Sequence, residues 1–470
     1  MADETRELRR INWGECFAFT QIFRSFRMAI QPTKLILAFC GLVLTYASGR
    51  ILDVVWADAH KPVCLVLGGA GGAGGGEAIT ELGYFLENGR QATRDWVAAA
   101  AAETPTAGLK RVGPFSLLLD HARTVVNQAT SAVASGDPAG LWGALRDGLV
   151  GKLWLLSMHP VYAILFGAIN LVVWALFGGA ICRAAALDAA REECITVTEA
   201  LAFSRRRLLG FIGAPLLPAG ICGVCALFLL AGGFVGAIPW IGNLAVAALF
   251  WLALVAGFIM AIMIIGAVAG FPLTFPTIAV EGSDAFDAFS RSFNYVVLSR
   301  PWRTAFYGLV AAAYGAICLL FVKFLVRLAL AVVYVIVGWA MSFGSPTLSD
   351  TAGASAQRMS KLEAIWQGPS LTGETAFWGG FGPAADVAGT TRIARVVFHL
   401  WILAGVFTLV GAFAVSFYYS ASTIIYLLLR REVDATDLED VYTEEPPAME
   451  PPLAGEAGGR GPDQGVHPAP

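Results

Sequence analysis

Charge is what this sequence has least of. Asp, Glu, Lys and Arg make up 14% of it against 57% hydrophobic residues, a balance outside the range of an ordinary soluble domain. The net charge of −3 removes the electrostatic case for a nucleic-acid partner. Cysteine usage excludes a disulfide framework: of eight cysteines, only Cys64 falls in a segment expected outside the cell. The one CxxC, Cys222 and Cys225, lies in an apolar run and reads as small packing residues. The five histidines show no metal-ligand spacing, and nucleophile elbow, P-loop and HExxH motifs are all missing. Gly69, Gly71 and Gly74 satisfy GxGxxG, but they lead into an Ala-rich helix and read as a flexible linker. No catalytic residue, metal or cofactor is therefore expected, and the chain is not expected to be an enzyme.

What the chain does have is hydrocarbon. A bilayer core of ~30 Å takes about 20 helical residues, and runs of that length occur at 35–55, 161–183, 209–235, 244–270, 304–322 with an extension, and 396–429. The cores of these runs hold no Asp or Glu, Asp53 falling at the end of the first. Coupled carriers place an acid where the ion binds, so a coupled transporter is disfavoured. Asn170, polar in mid-span, suits helix–helix hydrogen bonding. Arginines cluster before the first run, between the second and third, between the fourth and fifth, and after the sixth. By the positive-inside rule both termini are cytoplasmic, and 56–160 and 344–395 lie outside a bacterial inner membrane.

A repeat organises the runs. Laid on Arg291-Ser292-Phe293, Arg24-Ser25-Phe26 brings Ala38-Phe39 onto Ala305-Phe306 and Gly41-Leu42-Val43 onto Gly308-Leu309-Val310 without a gap. A thinner match lays Ala202-Phe203-Ser204-Arg205 on Ala288-Phe289-Ser290-Arg291 and Pro215 on Pro301. Three units follow, each an interfacial amphipathic helix and a hairpin of two spans. Phe286, Phe289, Phe293 and Val297 recur at helical spacing opposite Asp287 and Arg291; Phe19, Ile22, Phe23, Phe26 and Ile30 do so opposite Arg24 and Arg27. Such helices are expected in the interface, with Arg24, Arg27, Arg205, Arg206, Arg207, Arg291, Arg300, Trp302 and Arg303 at anionic headgroups. Pro32, Pro215 and Pro301 are expected to break the helix where surface turns into span. Thr196 with Glu199 has capping-box spacing, and Ser283-Asp284 offers N-cap oxygens.

The expected fold is all-α and polytopic, with about six transmembrane helices. The leader and first interfacial helix take 1–33, and the first hairpin takes 34–183 with an external helical insertion at 57–157. The second interfacial helix and hairpin take 184–280. The third unit takes 281–430 with an external loop at 344–395, and an acidic Pro/Gly-rich tail at 431–470 is expected to be disordered. Within the insertion, Phe115, Leu118, Leu119, Ala122, Val125, Val126, Ala129 and Val133 form a helical stripe, closed by Gly136 and restarted by Asp137-Pro138. From Thr304 to Phe343 the chain is apolar except for Lys323 and Arg327. Either one long helix overshoots the membrane and packs outside on the insertion, or the chain turns at 323–327 into a seventh span.

The stretch "EGSDAFDAFSRSFNYVVLSRPWR", Glu281 to Arg303, with "RREVDATDLEDVY", Arg430 to Tyr442, resembles uncharacterised bacterial six-pass inner-membrane proteins. More distantly it is similar to the membrane domain that accompanies glycerophosphodiester phosphodiesterases. That resemblance implies an architecture and no catalytic residue. Two functions are consistent with the residues. One is a non-enzymatic membrane-organising or interaction protein, engaging anionic lipid headgroups and meeting protein partners through the insertion and tail. The other is an uncoupled permease or lipid-handling protein, with Lys323, Arg327, His159 and His399 forming a cationic outer vestibule. An accessory membrane subunit of an enzyme is a third.

Overall fold

The computed structural model describes residues 18–66, 78–102, 109–239, 241–342, 390–401 and 408–442, together with Leu362, Trp366, Gly405 and Val406. Within these, 88% of residues are helical, in 13 helices. The chain is a helical membrane protein, and among the described residues six helices are long and apolar enough to cross a bilayer.

A 3-10 turn at Ala18–Phe23 leads into α1 (Arg24–Ala29), and Pro32 opens the first long helix, α2 (Pro32–Val55). A proline in the first helical turn removes a donor that would be orphaned anyway. A small antiparallel sheet of β1 (Val63–Val66), β2 (Ala78–Thr80) and β3 (Leu109–Arg111) follows, in the order β2-β1-β3, with α3 (Glu81–Ala102) between its last two strands. The sequence reading did not anticipate this sheet. Its strands are three or four residues long, too short to show a period of two against helical surroundings.

The hairpin α4 (Pro114–Ser135) and α5 (Pro138–Met158) turns where expected. Gly136 adopts φ 68°, and the Asp137 side chain accepts from Ala139 N at 3.0 Å. The remaining α-helices are α6 (Pro160–Arg191), α7 (Val197–Arg206), α8 (Leu208–Gly236), α9 (Ile241–Glu281), α10 (Ala285–Phe293), α11 (Pro301–Ser342), α12 (Thr390–Trp401) and α13 (Thr408–Asp434), with a π-helical segment at Asn294–Ser299 between α10 and α11.

Two expectations, the break at Pro215 and the start of the tail, need correction. Pro215 does not mark a junction: it lies inside α8 together with Pro218, and the chain bends at Arg207 instead. Of the apolar run 396–429, the described parts are α12 as far as Trp401, Gly405 with Val406, and α13 from Thr408, and all of them are helical. The tail does not loosen at residue 431, because α13 continues to Asp434 and the chain stays bound to the bundle as far as Tyr442. Residues 343–361 and 443–470, and the glycines of the GxGxxG stretch, lie outside the described residues.

The bundle is inside out relative to a soluble one. In its most apolar window α13 has a mean hydropathy of 1.6, the lowest of the six, and is 78% buried; the corresponding windows of α9 and α11 reach 2.7 and 2.5 and are 6% buried. Lipid is as apolar as leucine, so the greasiest faces belong outside and the serines and tyrosines inside. Central α13 touches α2, α6, α9 and α11, while α8 packs on α9 at the margin. Ser416 Oγ donates to Ala29 O at 3.0 Å and Thr423 Oγ1 to Tyr419 O at 2.8 Å, satisfying hydroxyls that hydrocarbon cannot.

Candidate functional site: a charged cluster at one end of the bundle

Glu281 ends α9, and Gly282 at φ 64° turns the chain so that the Asp284 side chain caps α10, accepting from Asp287 N at 2.9 Å. One turn on, Arg291 Nε meets Asp287 at 3.0 Å, the expected i,i+4 pair. Arg291 Nη1 also reaches Glu281 Oε2 at 3.0 Å. Glu281 Oε1 takes Arg430 Nε of α13 at 3.3 Å and the Tyr426 hydroxyl at 2.5 Å. Asp434 accepts from the Tyr295 hydroxyl and stands 3.8 Å from Arg291. Burial opposes the Arg291 charge, but Asp287 and Glu281 outweigh it and hold its pKa above the ordinary value. Burial, then the Asp434 carboxylate, pushes the Tyr295 phenol up.

Around this knot the same end is tied by further cations. Lys34 Nζ and Asp188 Oδ2 join α2 to α6 at 2.7 Å, with side-chain exposures of 1% and 4%. Arg183 of α6 is buried; it donates to Ala279 O at 2.9 Å and to Tyr442 O at 2.7 Å, and its guanidinium stands 4.5 Å from the Phe203 ring centre. Tyr442 N donates to Val280 O at 2.8 Å, and Arg430 Nη1 to Asp440 O at 2.5 Å. Arg207 donates to Gly282 O and lies 5.2 Å from the Tyr442 ring centre. A Cβ on Gly282 would stand 2.8 Å from that ring, so glycine serves both the turn and the contact. Residues 439–442 thus form a strap that links α6, α9 and α13.

The arginines expected at headgroups separate into two sets. Arg24 and Arg27 face Glu192 at 3.2 and 3.8 Å, Arg291 is in the knot, Arg207 holds Gly282, and Arg303 meets Glu432 at 2.5 Å. Arg205 and Arg300 are exposed, with no side-chain partner among the described residues, and Arg206 and Trp302 are exposed too. The short helices pack on the bundle by one face: Ile22, Met28 and Ala29, then Ala200 and Phe203, then Ala288 and Phe289 are buried. Phe286 and Phe23 of the expected stripes are exposed. Pro32 and Pro301 open α2 and α11 as expected.

The vestibule residues are given separate partners. His159 Nε2 lies 3.2 Å from Glu81 Oε1, and Lys323 Nζ donates to Thr130 Oγ1 of α4 at 2.6 Å. Arg327 Nε and Nη2 are buried without a hydrogen-bond partner among the described residues. His399 lies on α12, its side chain outside the described set. At this end the sequence reading also passed over Asp53, which accepts from Phe115 N and Ser116 N, each at 3.0 Å, and from the Tyr162 hydroxyl at 2.7 Å, fixing α4 onto α2 and α6. Asn170 donates to Phe166 O of its own helix, correcting the expected interhelical bond.

Chemically the knot is a clamp: each carboxylate in it already faces a guanidinium or a phenol. Among the described residues, no three His, Cys, Asp or Glu gather as metal ligands. Comparison of the chain with protein-family models, curated proteins and solved structures finds no match.

Proposed function

We propose that the chain is a non-enzymatic membrane-organising or interaction protein. Its three units would set their amphipathic helices on the anionic cytoplasmic face of a bacterial inner membrane, and the insertion 57–157 and the acidic tail would meet protein partners. The observation that carries this reading is the filled centre. A carrier needs a polar passage between its halves, whereas α13 occupies the bundle axis and is largely buried. Two large cavities, of about 470 and 370 Å³, are lined mostly by apolar side chains, one by those of α8 and α9 and the other chiefly by those of α11 and α13. Arg205, Arg206, Arg300 and Trp302 supply the exposed headgroup-facing set.

The nitrogens of Arg327 that have no partner among the described residues, one turn beyond Lys323, favour the alternative of an uncoupled permease with a cationic vestibule. Reconstitution of the full chain into phosphatidylcholine vesicles containing phosphatidylglycerol separates the two. Spin-labelled phosphatidylglycerol should be immobilised at the protein in preference to spin-labelled phosphatidylcholine, and salt should weaken the preference. Phosphate or lipid flux should stay at the level of protein-free vesicles. Flux above that level would put the permease first, and equal immobilisation of both lipids would remove headgroup engagement.

A further inference from the structure

The exposed small residues of α11 mark a place the packing does not fill. Small residues on spanning helices ordinarily let two backbones close together. Gly315 does so: a Cβ there would stand 2.5 Å from the Phe417 ring of α13. Two turns nearer the charged end, Gly308 does not: a Cβ there would meet nothing within 4 Å. Along this side of α11, with α13 opposite and Pro272 of α9 beside it, lies a groove of about 370 Å³ with Ala312, Phe413 and Ile425 among its walls. From Gly308 to Leu319 it runs about 17 Å along α11 at 1.5 Å per residue. It lies within the two helices' membrane-crossing stretches and opens sideways, where hydrocarbon is the solvent. Packed interiors do not keep voids of that size empty.

At its charged end the groove points toward an unbalanced cation. Arg300 precedes α11, about 12 Å along the helix from Gly308; it is exposed and has no side-chain partner among the described residues. Arg431 is exposed on α13. The neighbouring acid, Glu432, is paired with Arg303 on one oxygen and accepts from the Tyr307 hydroxyl on the other, each at 2.5 Å. Trp302, 88% exposed, supplies the amphipathic ring that suits the glycerol layer.

We propose that this groove is a binding site for one anionic phospholipid, its acyl chain lying between α11 and α13 and its phosphate at Arg300. The site deepens the headgroup reading above and rests on it, but is narrower: a held lipid instead of an attracting surface. A second copy of the chain is the competing occupant. A phospholipid supplies both the acyl chain for the groove and the charge for Arg300 in one molecule.

Native mass spectrometry of the full-length protein, exchanged in mild detergent with phosphatidylglycerol or phosphatidylcholine, tests this. Wild type should retain one phospholipid and prefer phosphatidylglycerol about fivefold, the ratio expected from one basic residue at the surface. Gly308→Leu with Ala312→Leu fills the groove, and that variant should lose the retained lipid while melting at the wild-type temperature in lipid-free detergent. Arg300→Gln should keep the lipid and lose the preference. Undiminished retention by the filled variant would overturn the proposal, as would loss of a dimer instead of a lipid. An unchanged preference in Arg300→Gln would overturn the phosphate assignment. The spin-label experiment on wild type reads the broader headgroup claim separately, so failure of the groove leaves that result standing.

Discussion

Lys34 and Asp188 are buried against each other. At 2.7 Å and almost without exposure, they hold α2 to α6 at the edge of hydrocarbon. Burying both charges is expensive, and their attraction offsets that cost only while both are present. Lys34→Met should therefore lower stability by about 3–5 kcal/mol, whereas Lys34→Met with Asp188→Leu should recover most of the loss. Thermal unfolding of the single and double variants in one detergent measures this, and additive losses would show that the pair does not act as a unit. The sequence shows two isolated charges flanking apolar runs; that they meet depends on how α2 crosses α6, which local patterning does not encode. The same holds for Glu281, which lies at a legible helix end but whose partners Arg291, Tyr426 and Arg430 are set by the packing of α10 and α13 against α9.

Elements with their own local chemistry were the legible part. Thr196 and Glu199 exchange the two bonds of a capping box, at 3.3 and 2.9 Å, as their spacing predicts. Thr196→Ala should cost about 1 kcal/mol and loosen α7, seen as faster amide exchange at 197–200. The Thr196 backbone N–H, and then its hydroxyl, hold the Glu199 carboxyl below its ordinary value of 4.5. Protonation opposes that contact, so its contribution is complete above the ordinary carboxylate range and is lost as pH falls through the lowered value. Amide protection of α7 should fade on acidification in wild type and be flat across that window in Glu199→Gln. Pro215 was illegible for the opposite reason. A proline disfavours helix before it, but in a long apolar helix the freed carbonyl is tolerated, and α8 passes through both Pro215 and Pro218. At α11 an apolar run without Gly or Pro near 323–327 stays helical for 42 residues, about 60 Å, and meets α4 through Lys323.

The whole molecule has two ends of different chemistry. Arg24, Arg183, Arg207, Arg291 and Arg430 are tied into one end, while the sheet, Asp53 and the α4–α5 hairpin make the other. The six crossings were legible because hydropathy is additive along a chain; which crossing is central was not, because the answer is inverted, the least apolar helix being the most enclosed. The orientation proposed from the arginines has a native reporter. Cys194 lies between α6 and α7 at the arginine-rich end and is exposed, whereas Cys64 is buried in β1 and Cys182 and Cys318 are buried in α6 and α11. If that end is cytoplasmic, a membrane-impermeant maleimide added to intact spheroplasts should leave Cys194 unmodified and should modify it after lysis, as read peptide by peptide in a mass spectrometer. Cys introduced at the exposed Ser135, the last residue of α4, should show the reverse and react before lysis. Reaction of Cys194 in intact spheroplasts, with Ser135→Cys protected, would turn the molecule over: the arginines would then face away from the cytoplasm, and the positive-inside reading on which the headgroup proposal stands would fail with them.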